Sequence, residues 1–156
     1  MKETAQNESL PLRTTYVLAR LTRIVQRRLE DTLQPHKLTL PQYTTLTILL
    51  RRPGLSNAQL ARRAYITPQS MQEVLRTLED RRLVARAPSA DNMRILKASL
   101  TAAGKRLITQ AEQDAAEVDE ALLSSLTSFE RKLFVKSIQK CVIGFGGGLQ
   151  IHRPSR

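Results

Sequence analysis

The sequence predicts a mainly α-helical chain with one small β-hairpin, which places it in the α+β class. Two short helices with clear N-terminal capping signals lie in the middle of the chain, joined by only a few residues. Directly after them the hydrophobic pattern changes from a helical period to a period of two. Long amphipathic segments flank this centre. Together these features predict a winged helix-turn-helix with additional helices at both ends.

With 156 residues, the chain suits a single domain spanning residues 1–156. It contains no apolar run of about 18 residues, and its polar start lacks the apolar core of a signal peptide. We therefore expect a soluble, cytoplasmic protein that does not interact with a membrane. The single cysteine, Cys141, cannot form an intramolecular disulfide, and no metal-ligand spacing or cofactor motif occurs. The sequence thus predicts neither a metal nor a cofactor.

The flanking segments are predicted to be helical at residues 10–34 and 101–143. Apolar residues recur at three- and four-residue intervals in both segments, and Pro35 ends the first one. Thr101 and Thr127 are N-caps that divide the second segment into two helices. The glycine-rich, basic tail at 144–156 is predicted to be flexible.

The central segment, residues 40–100, contains the predicted helix-turn-helix and wing. Its capping signals are Thr39 with Gln42, Ser56 with Gln59, and Thr67 before Pro68. They predict helices at 40–51, 57–64 and 67–82. The hairpin is predicted from strands at 84–87 and 94–100. Its alternation predicts that Leu96, Ala98 and Leu100 face the core.

The charge distribution favours a polyanionic partner. The chain carries 25 Lys and Arg residues against 14 Asp and Glu residues, a net charge of +11. The surplus is largest in residues 51–106, which contain twelve basic and four acidic residues, whereas residues 107–130 contain six acidic residues and no basic one. The alternative is that a basic chain is merely soluble.

The helix predicted at 67–82 has two distinct faces on a helical wheel. Its apolar face contains Met71, Val74, Leu75 and Leu78. The opposite, polar face contains Gln69, Ser70, Gln72, Glu73 and Arg76. Glutamine, arginine and glutamate match the hydrogen-bonding edges of adenine, guanine and cytosine, respectively. This face therefore predicts base reading in the major groove of double-stranded DNA, and the alternative is an ordinary solvated surface.

Other residues are predicted to contact the DNA outside the major-groove edges. Thr67 and Gln69 lie at a helix N-terminus, which suits a phosphate. Arg94, at the end of the wing loop, is predicted to enter the minor groove. Backbone contacts are predicted for Arg51, Arg52, Arg62, Arg63, Arg86 and Lys97. The alternative for each of them is a solvated charge.

From about residue 12 to residue 142 the sequence resembles the MarR family of transcriptional regulators. Comparable strings stand at residues 38–43, 56–61, 82–84 and 100–104. The resemblance implies a homodimer in which the helices at 10–34 and 101–143 are the dimerisation helices. It also implies that two recognition helices occupy successive major grooves of a pseudopalindromic operator. The implied function is sequence-specific transcriptional regulation, with repression as the expected outcome.

Three positions depart from the family pattern. The wing of the family usually carries Asp-x-Arg before its second strand, whereas this chain has Asn92 two residues before Arg94. A glycine commonly ends the recognition helix where this chain has Arg82. Glu73 occupies a place that is often basic or neutral. These departures affect, in order, the bracing of the wing arginine, the turn after the recognition helix and the preferred base.

The resemblance further implies that a small aromatic or anionic effector binds between the dimerisation helices and the DNA-binding lobe. Arg20, His36 and Tyr43 are candidate pocket residues, and the alternative for the histidine and the tyrosine is a packed, hydrogen-bonded structural role. In redox-sensing members of the family that this sequence resembles, the reactive cysteine lies near the N-terminal helix. Because Cys141 lies on an apolar stripe near the other end, we expect a buried structural thiol.

Other function classes fit the sequence less well. An enzyme needs convergent catalytic groups, but this chain has two histidines, one cysteine and no phosphate-binding glycine loop. A stronger alternative is a winged-helix protein that shapes DNA or binds a protein partner without a specific operator.

Overall fold

The computed structural model of the chain describes residues 13–146. In this range the α-helices are α1 (Thr14–Leu33), α2 (Leu40–Arg51), α3 (Asn57–Ala64), α4 (Pro68–Asp80), α5 (Ala102–Leu123) and α6 (Ser128–Gly144). The strands are β1 (Leu55–Ser56), β2 (Val84–Pro88) and β3 (Leu96–Leu100), and a short 3-10 turn (Gln34–His36) follows α1. The start of the predicted N-terminal helix and the part of the predicted tail from residue 147 onward lie outside the described residues. The mainly α-helical fold with a small wing is confirmed.

The starts of α2 to α6 are confirmed because local capping determines them, whereas α1 begins at Thr14 without a side-chain cap. Before α2, the Gln42 N–H donates to Thr39 Oγ1 at 3.4 Å, and the Thr39 N–H donates to Gln42 Oε1 at 3.1 Å. Ser56 and Gln59 make the same reciprocal pair before α3, and Thr127 begins another before α6. Each such box satisfies two backbone N–H groups that the helix itself cannot satisfy.

The wing is a three-stranded antiparallel sheet with strand order β1-β3-β2. β2 and β3 form the predicted hairpin, with Val84 opposite Leu100. β1 adds a third strand, with Leu55 opposite Ala98. No sequence pattern predicted β1, because two residues are too short to show a period.

The predicted facing of β3 is only partly correct. Ala98 is fully buried and Leu100 packs against the core, but Leu96 is 43% exposed. Leu96 lies at the outer end of the wing, opposite Pro88, where no helix covers it. The strand also begins at Leu96 rather than at residue 94, because Asn92 and Ile95 take part in the loop hydrogen bonds.

One hydrophobic core holds the winged-helix lobe together, formed by α2, α3, α4 and the wing with the adjoining ends of α1 and α5. Its largest fully buried apolar side chains are Leu33, Leu46, Leu49, Leu60, Met71, Leu75, Leu78 and Ile108. Removing each such side chain from water contributes about 1.5–3 kcal/mol. Three of them belong to α4, so this helix is held firmly by its apolar face.

α6 lies apart from this core, and none of its residues is buried. The expectation of a buried Cys141 is wrong for this chain, since the residue is exposed. The expectation assumed that the apolar stripe of α6 faces the core of its own chain. Instead, large apolar side chains of α6 such as Phe129 and Leu133 face outward.

The turn after α4 has a left-handed residue. α4 ends at Asp80, two residues before the predicted end, and Arg82 has φ 56°. The Arg82 N–H donates to the Glu79 carbonyl at 2.7 Å, and the Leu83 N–H donates to the Leu78 carbonyl at 2.9 Å. Such an ending usually contains glycine. The turn therefore has the backbone for which the resemblance expects glycine, with an arginine in it.

Gly104 allows α5 to begin against the start of the wing. A Cβ atom at this position would lie 2.0 Å from the Leu83 carbonyl oxygen. The same oxygen accepts the Thr101 N–H at 3.0 Å, so the contact joins the N-cap of α5 to β2. Only glycine fits here without a shift of the backbone.

We expect Gly104→Ala to lower the free energy of unfolding by about 1–3 kcal/mol, because the clash is with backbone rather than with a flexible side chain. Helix propensity alone would make Gly104→Ala raise the free energy of unfolding by about 1 kcal/mol. Gly144→Ala is the control, since its Cβ would meet no atom within 4 Å. Urea unfolding followed by circular dichroism measures both. Equal stability of Gly104→Ala and wild type would contradict the close approach.

Candidate DNA interface

α3 and α4 form a compact helix pair with a short turn between them. Tyr65 ends α3 in a left-handed conformation with φ 55°. The Asn57 side chain, in the first turn of α3, donates to the Pro68 carbonyl at 2.9 Å. This bond ties the N-termini of the two helices together, so the start of α4 is positioned by α3 as well as by the core.

α4 has the two faces that the helical wheel predicts. Met71, Leu75 and Leu78 are buried, and Val74 is partly buried. The five polar residues predicted to read bases are all exposed: Gln69, Ser70, Gln72, Glu73 and Arg76. Within the described residues the Arg76 guanidinium makes no ion pair or hydrogen bond, although Glu73 and Glu79 are each three positions away on the same helix. It is therefore available to an external partner.

The N-terminus of α4 is capped and exposed. The Thr67 hydroxyl accepts the Ser70 N–H at 3.1 Å, and the two hydroxyl groups lie 2.9 Å apart. Both side chains therefore stand at the positive end of the helix dipole. This arrangement suits an approaching phosphate oxygen.

Arg86 does not extend into solvent but lies against α4. Its Nη2 is 2.5 Å from Glu79 Oε2, and its Nη1 donates to Gln72 Oε1 at 3.2 Å. The Arg86 side chain is only 16% exposed. The sequence prediction assigned Arg86 to phosphate and did not find Glu79, because the two residues belong to different elements and no local pattern connects them.

The wing presents Arg94 at its tip. The Asn92 side chain accepts the backbone N–H of Arg94 at 3.0 Å, so Asn92 shapes the loop instead of bracing the guanidinium as an aspartate would. Arg94 is exposed, whereas Lys97 is partly buried on β3, opposite Ser56 and Ala87.

The remaining predicted backbone contacts are arginines of α2 and α3. Arg62 is exposed, while Arg63 is partly buried and donates to the Gln59 carbonyl at 3.2 Å. Arg51 is exposed at the end of α2 and pairs with Glu112 at 3.3 Å, and Arg52 follows it partly buried.

A polar cluster joins α2 to α5 at the position predicted for an effector. Glu112 of α5 accepts hydrogen bonds from Tyr43 Oη at 2.9 Å and Thr47 Oγ1 at 2.7 Å, in addition to its ion pair with Arg51. Burial of the phenol and, next, its hydrogen bond to Glu112 raise the pKa of Tyr43. The sequence prediction missed Glu112, because its partners lie more than sixty residues away in the chain.

His36 makes a second contact to α5. Its Nε2 lies 2.6 Å from Asp114 Oδ2, and its side chain is only 9% exposed. His36 and Tyr43 thus both bond carboxylates on one turn of α5. Arg20 is exposed on α1 and makes no hydrogen bond or ion pair with either of them in the described part of the chain.

Two adjoining grooves lie between α1 and α5. Arg28 lines both. The more apolar of them is lined by Leu21, Ile24, Val25, Arg28, Val118, Ala121 and Leu122. Neither groove includes Arg20, His36 or Tyr43. A cation beside an apolar wall is the arrangement that an aromatic carboxylate needs.

A capped helix pair with an exposed polar face, next to a wing with an exposed arginine, defines a winged helix-turn-helix DNA-binding protein. None of the helices in residues 13–146 combines the length and apolar composition required to cross a bilayer.

Comparisons with known proteins agree with this class. A sequence profile of the MarR family matches residues 36–95. The HTH-type transcriptional repressor Rv2887 of Mycobacterium tuberculosis (strain H37Rv) is 40% identical over 125 residues, which cover 80% of this chain and 90% of that protein. The crystal structure of Rv2887 in complex with DNA has a TM-score of 0.73 at 37% identity, and covers 83% of this chain and 98% of its own. The structure of Rv2887 in complex with salicylic acid has a TM-score of 0.69 at 38% identity, with coverages of 83% and 96%. The chain belongs to the MarR family of DNA-binding transcriptional regulators.

We expect the stability of the fold to depend on pH in the alkaline range, because the phenol of Tyr43 is half-buried and bonded to Glu112. Because the pKa of Tyr43 is raised in the folded state, its contribution is complete below the ordinary tyrosine pKa of about 10 and is lost as the pH rises above it. We expect Tyr43→Phe to cost about 1 kcal/mol at pH 9, where a hydrogen bond to Glu112 is lost. At pH 11 this difference should shrink by roughly 1 kcal/mol, since ionisation then stabilises only the unfolded wild type. Urea unfolding at the two pH values measures it, and an unchanged difference would count against the buried phenol.

Proposed function

We propose that this protein is a homodimeric repressor that binds a pseudopalindromic DNA operator and is released from it by a small aromatic acid. The observation that carries the proposal is the exposed polar face of α4, anchored by three buried side chains and flanked by the arginine of the wing. The proposal includes no catalytic activity, and it assigns the protein to the cytoplasm, where its DNA is.

In this proposal α4 enters the major groove. Gln69, Ser70, Gln72, Glu73 and Arg76 face the base edges, and Arg76, without a protein partner in the described residues, is suited to guanine. Thr67 and the helix N-terminus receive a phosphate. Arg94 enters the adjacent minor groove. The salt-dependent attraction to the DNA backbone comes from Arg51, Arg52, Arg62, Arg63 and Lys97. Arg86 lies on the same surface.

The dimer is supported by apolar surface that a single chain leaves uncovered. The exposed large apolar residues of α1 are Tyr16, Val17, Leu18 and Ile24, and those of α6 are Phe129, Leu133, Val135 and Ile143. Such concentrations of apolar surface mark interaction sites. Two-fold symmetry then places two α4 helices about one helical turn of DNA apart.

The effector is proposed from the groove chemistry together with the salicylic acid complex of Rv2887. An aromatic ring would lie on the apolar wall of the α1–α5 groove, and its carboxylate would pair with Arg28. Tyr43 and His36 join the DNA-binding lobe to the neighbouring part of α5, so we assign them to transmission of the change. Arg20 remains a candidate on the exposed side of α1.

The alternative is an architectural or partner-binding winged-helix protein without an operator. The uncompensated Arg76 on the base-facing surface favours sequence reading over this alternative, because nonspecific binding requires charges only on the phosphate-facing surface.

Substitutions at Arg76 and Arg62 distinguish sequence-specific from nonspecific binding. We expect one dimer to bind its own upstream intergenic DNA about 10³-fold more tightly than a scrambled duplex of equal length. Arg76→Ala should cost about 1–3 kcal/mol on the operator and little on the scrambled duplex. Arg62→Ala, the matched control, should weaken both duplexes alike and reduce the salt dependence. Fluorescence anisotropy over a salt series measures these quantities. Equal, steeply salt-dependent binding of both duplexes by wild type would support the architectural alternative.

Release by an aromatic acid is expected to depend on Arg28. We expect saturating salicylic acid to weaken operator binding by about 5–150-fold, the usual range of allosteric coupling. Arg28→Ala should abolish this response while leaving operator affinity without the ligand unchanged. Arg27→Ala, an adjacent exposed arginine outside the grooves, should retain it. A full response in Arg28→Ala would place the effector elsewhere.

A further inference from the structure

Gln72 differs from the other exposed polar residues of α4 because its amide group is already held by the wing. Its Oε1 accepts a hydrogen bond from Arg86 Nη1 at 3.2 Å. A guanidinium group has only donors. The atom of Gln72 that faces Arg86 must therefore be the carbonyl oxygen, and the NH₂ group is the one left over.

Arg86 is in turn held by more than this one bond. Glu79 pairs with Arg86 Nη2 at 2.5 Å. The backbone of Arg86 lies in the middle of β2, opposite Ala98 of β3. Glu79 and Gln72 are seven residues apart, on the same face of α4. One arginine of the wing therefore bridges two turns of the helix. The bridge limits the rotation of the Gln72 side chain more than solvent would.

We infer that Arg86, held by Glu79, positions the amide of Gln72 so that it offers only hydrogen-bond donors to DNA. Gln72 would then select a base edge made of acceptors, guanine before all others. Arg86 is a positioning residue in this account. The inference rests on the proposed DNA-binding function and specifies the base that one residue of that site reads.

The chemistry of the base edges distinguishes this from the usual reading of glutamine. A free glutamine pairs with adenine by accepting from N6 and donating to N7. Here the accepting atom is engaged, and a second donor would have to approach it beside a guanidinium group. Guanine presents O6 and N7, both acceptors, whereas cytosine presents a donor at N4. The expected order is therefore guanine, then thymine and adenine with one acceptor each, then cytosine.

A phosphate contact by Arg86 is the competing account. It would require the guanidinium to leave both Glu79 and Gln72, and it predicts the same loss of affinity for every base sequence. Base preference at a single position therefore separates the two accounts, whereas overall affinity does not.

The test begins with selection of duplexes from a randomised library by the full chain, followed by anisotropy on four duplexes that differ at one position per half-site. Gln72→Ala identifies that position as the one that loses its preference. Wild type is expected to prefer guanine to adenine there by about tenfold. Arg86→Met, which keeps the length of the side chain but has no donors, should remove or reverse this ratio and leave other positions unchanged. Arg62→Met should weaken all four duplexes equally.

Gln72→Glu is a second variant that leaves the wing intact and changes only an exposed side chain. Its carboxylate can still accept from Arg86 but has only acceptors to offer, so the preference should move from guanine to cytosine. A wild-type preference for adenine, or an unchanged base ratio in Arg86→Met and Gln72→Glu, would overturn the inference while leaving sequence-specific binding intact. If the selection yields no preferred sequence at all, the proposed operator binding fails, and this inference with it.

Discussion

The Leu83 carbonyl oxygen is where α4, the wing and the long helix α5 are joined. It accepts the Thr101 N–H at 3.0 Å and the Thr101 hydroxyl at 3.2 Å, and Gly104 lies directly against it. Arg82, immediately before it, takes the left-handed conformation that turns the chain from α4 into β2. The angle between α4 and the wing, and hence the spacing between Gln72 and Arg86, depends on this junction.

A second set of contacts connects the end of α4, on the side proposed to face DNA, to α5. Arg81, which follows α4, donates to the backbone carbonyls of Lys37 at 2.7 Å and His36 at 3.3 Å. The His36 imidazole then contacts Asp114 of α5. His36 therefore contacts α5 through its imidazole and Arg81 through its backbone carbonyl. A displacement of α5 relative to α1 would act on Arg81 through this histidine. Such a series of contacts can couple the groove proposed for the effector to the position of α4, provided that the effector prefers one arrangement.

Positive and negative charges are unevenly distributed between the winged-helix lobe and α5. The net positive charge is largest in residues 51–106, which contain twelve basic and four acidic residues, whereas α5 carries acidic residues that bond within the chain through Glu112 and Asp114. These carboxylates bond to α2 and to the turn after α1. They do not pair with Arg94 at the tip of the wing or with Arg76 of α4. Glu79 is the exception, since it neutralises Arg86 within the DNA-facing surface.

Local patterns in the sequence were enough to predict helices α2 to α6, their starts and the two faces of α4. Capping boxes act within four residues and amphipathic periods within a few turns, so Thr39, Ser56 and Met71 reveal their roles locally. The three-dimensional structure was needed to show the pairing of Arg86 with Glu79, the bonds of Glu112, the exposure of Leu96 and Cys141, and the third strand of the wing. These features depend on which elements meet in space, and the bond between Tyr43 and Glu112 spans sixty-nine residues of chain. No local pattern encodes such a distance, because packing of the whole core sets it.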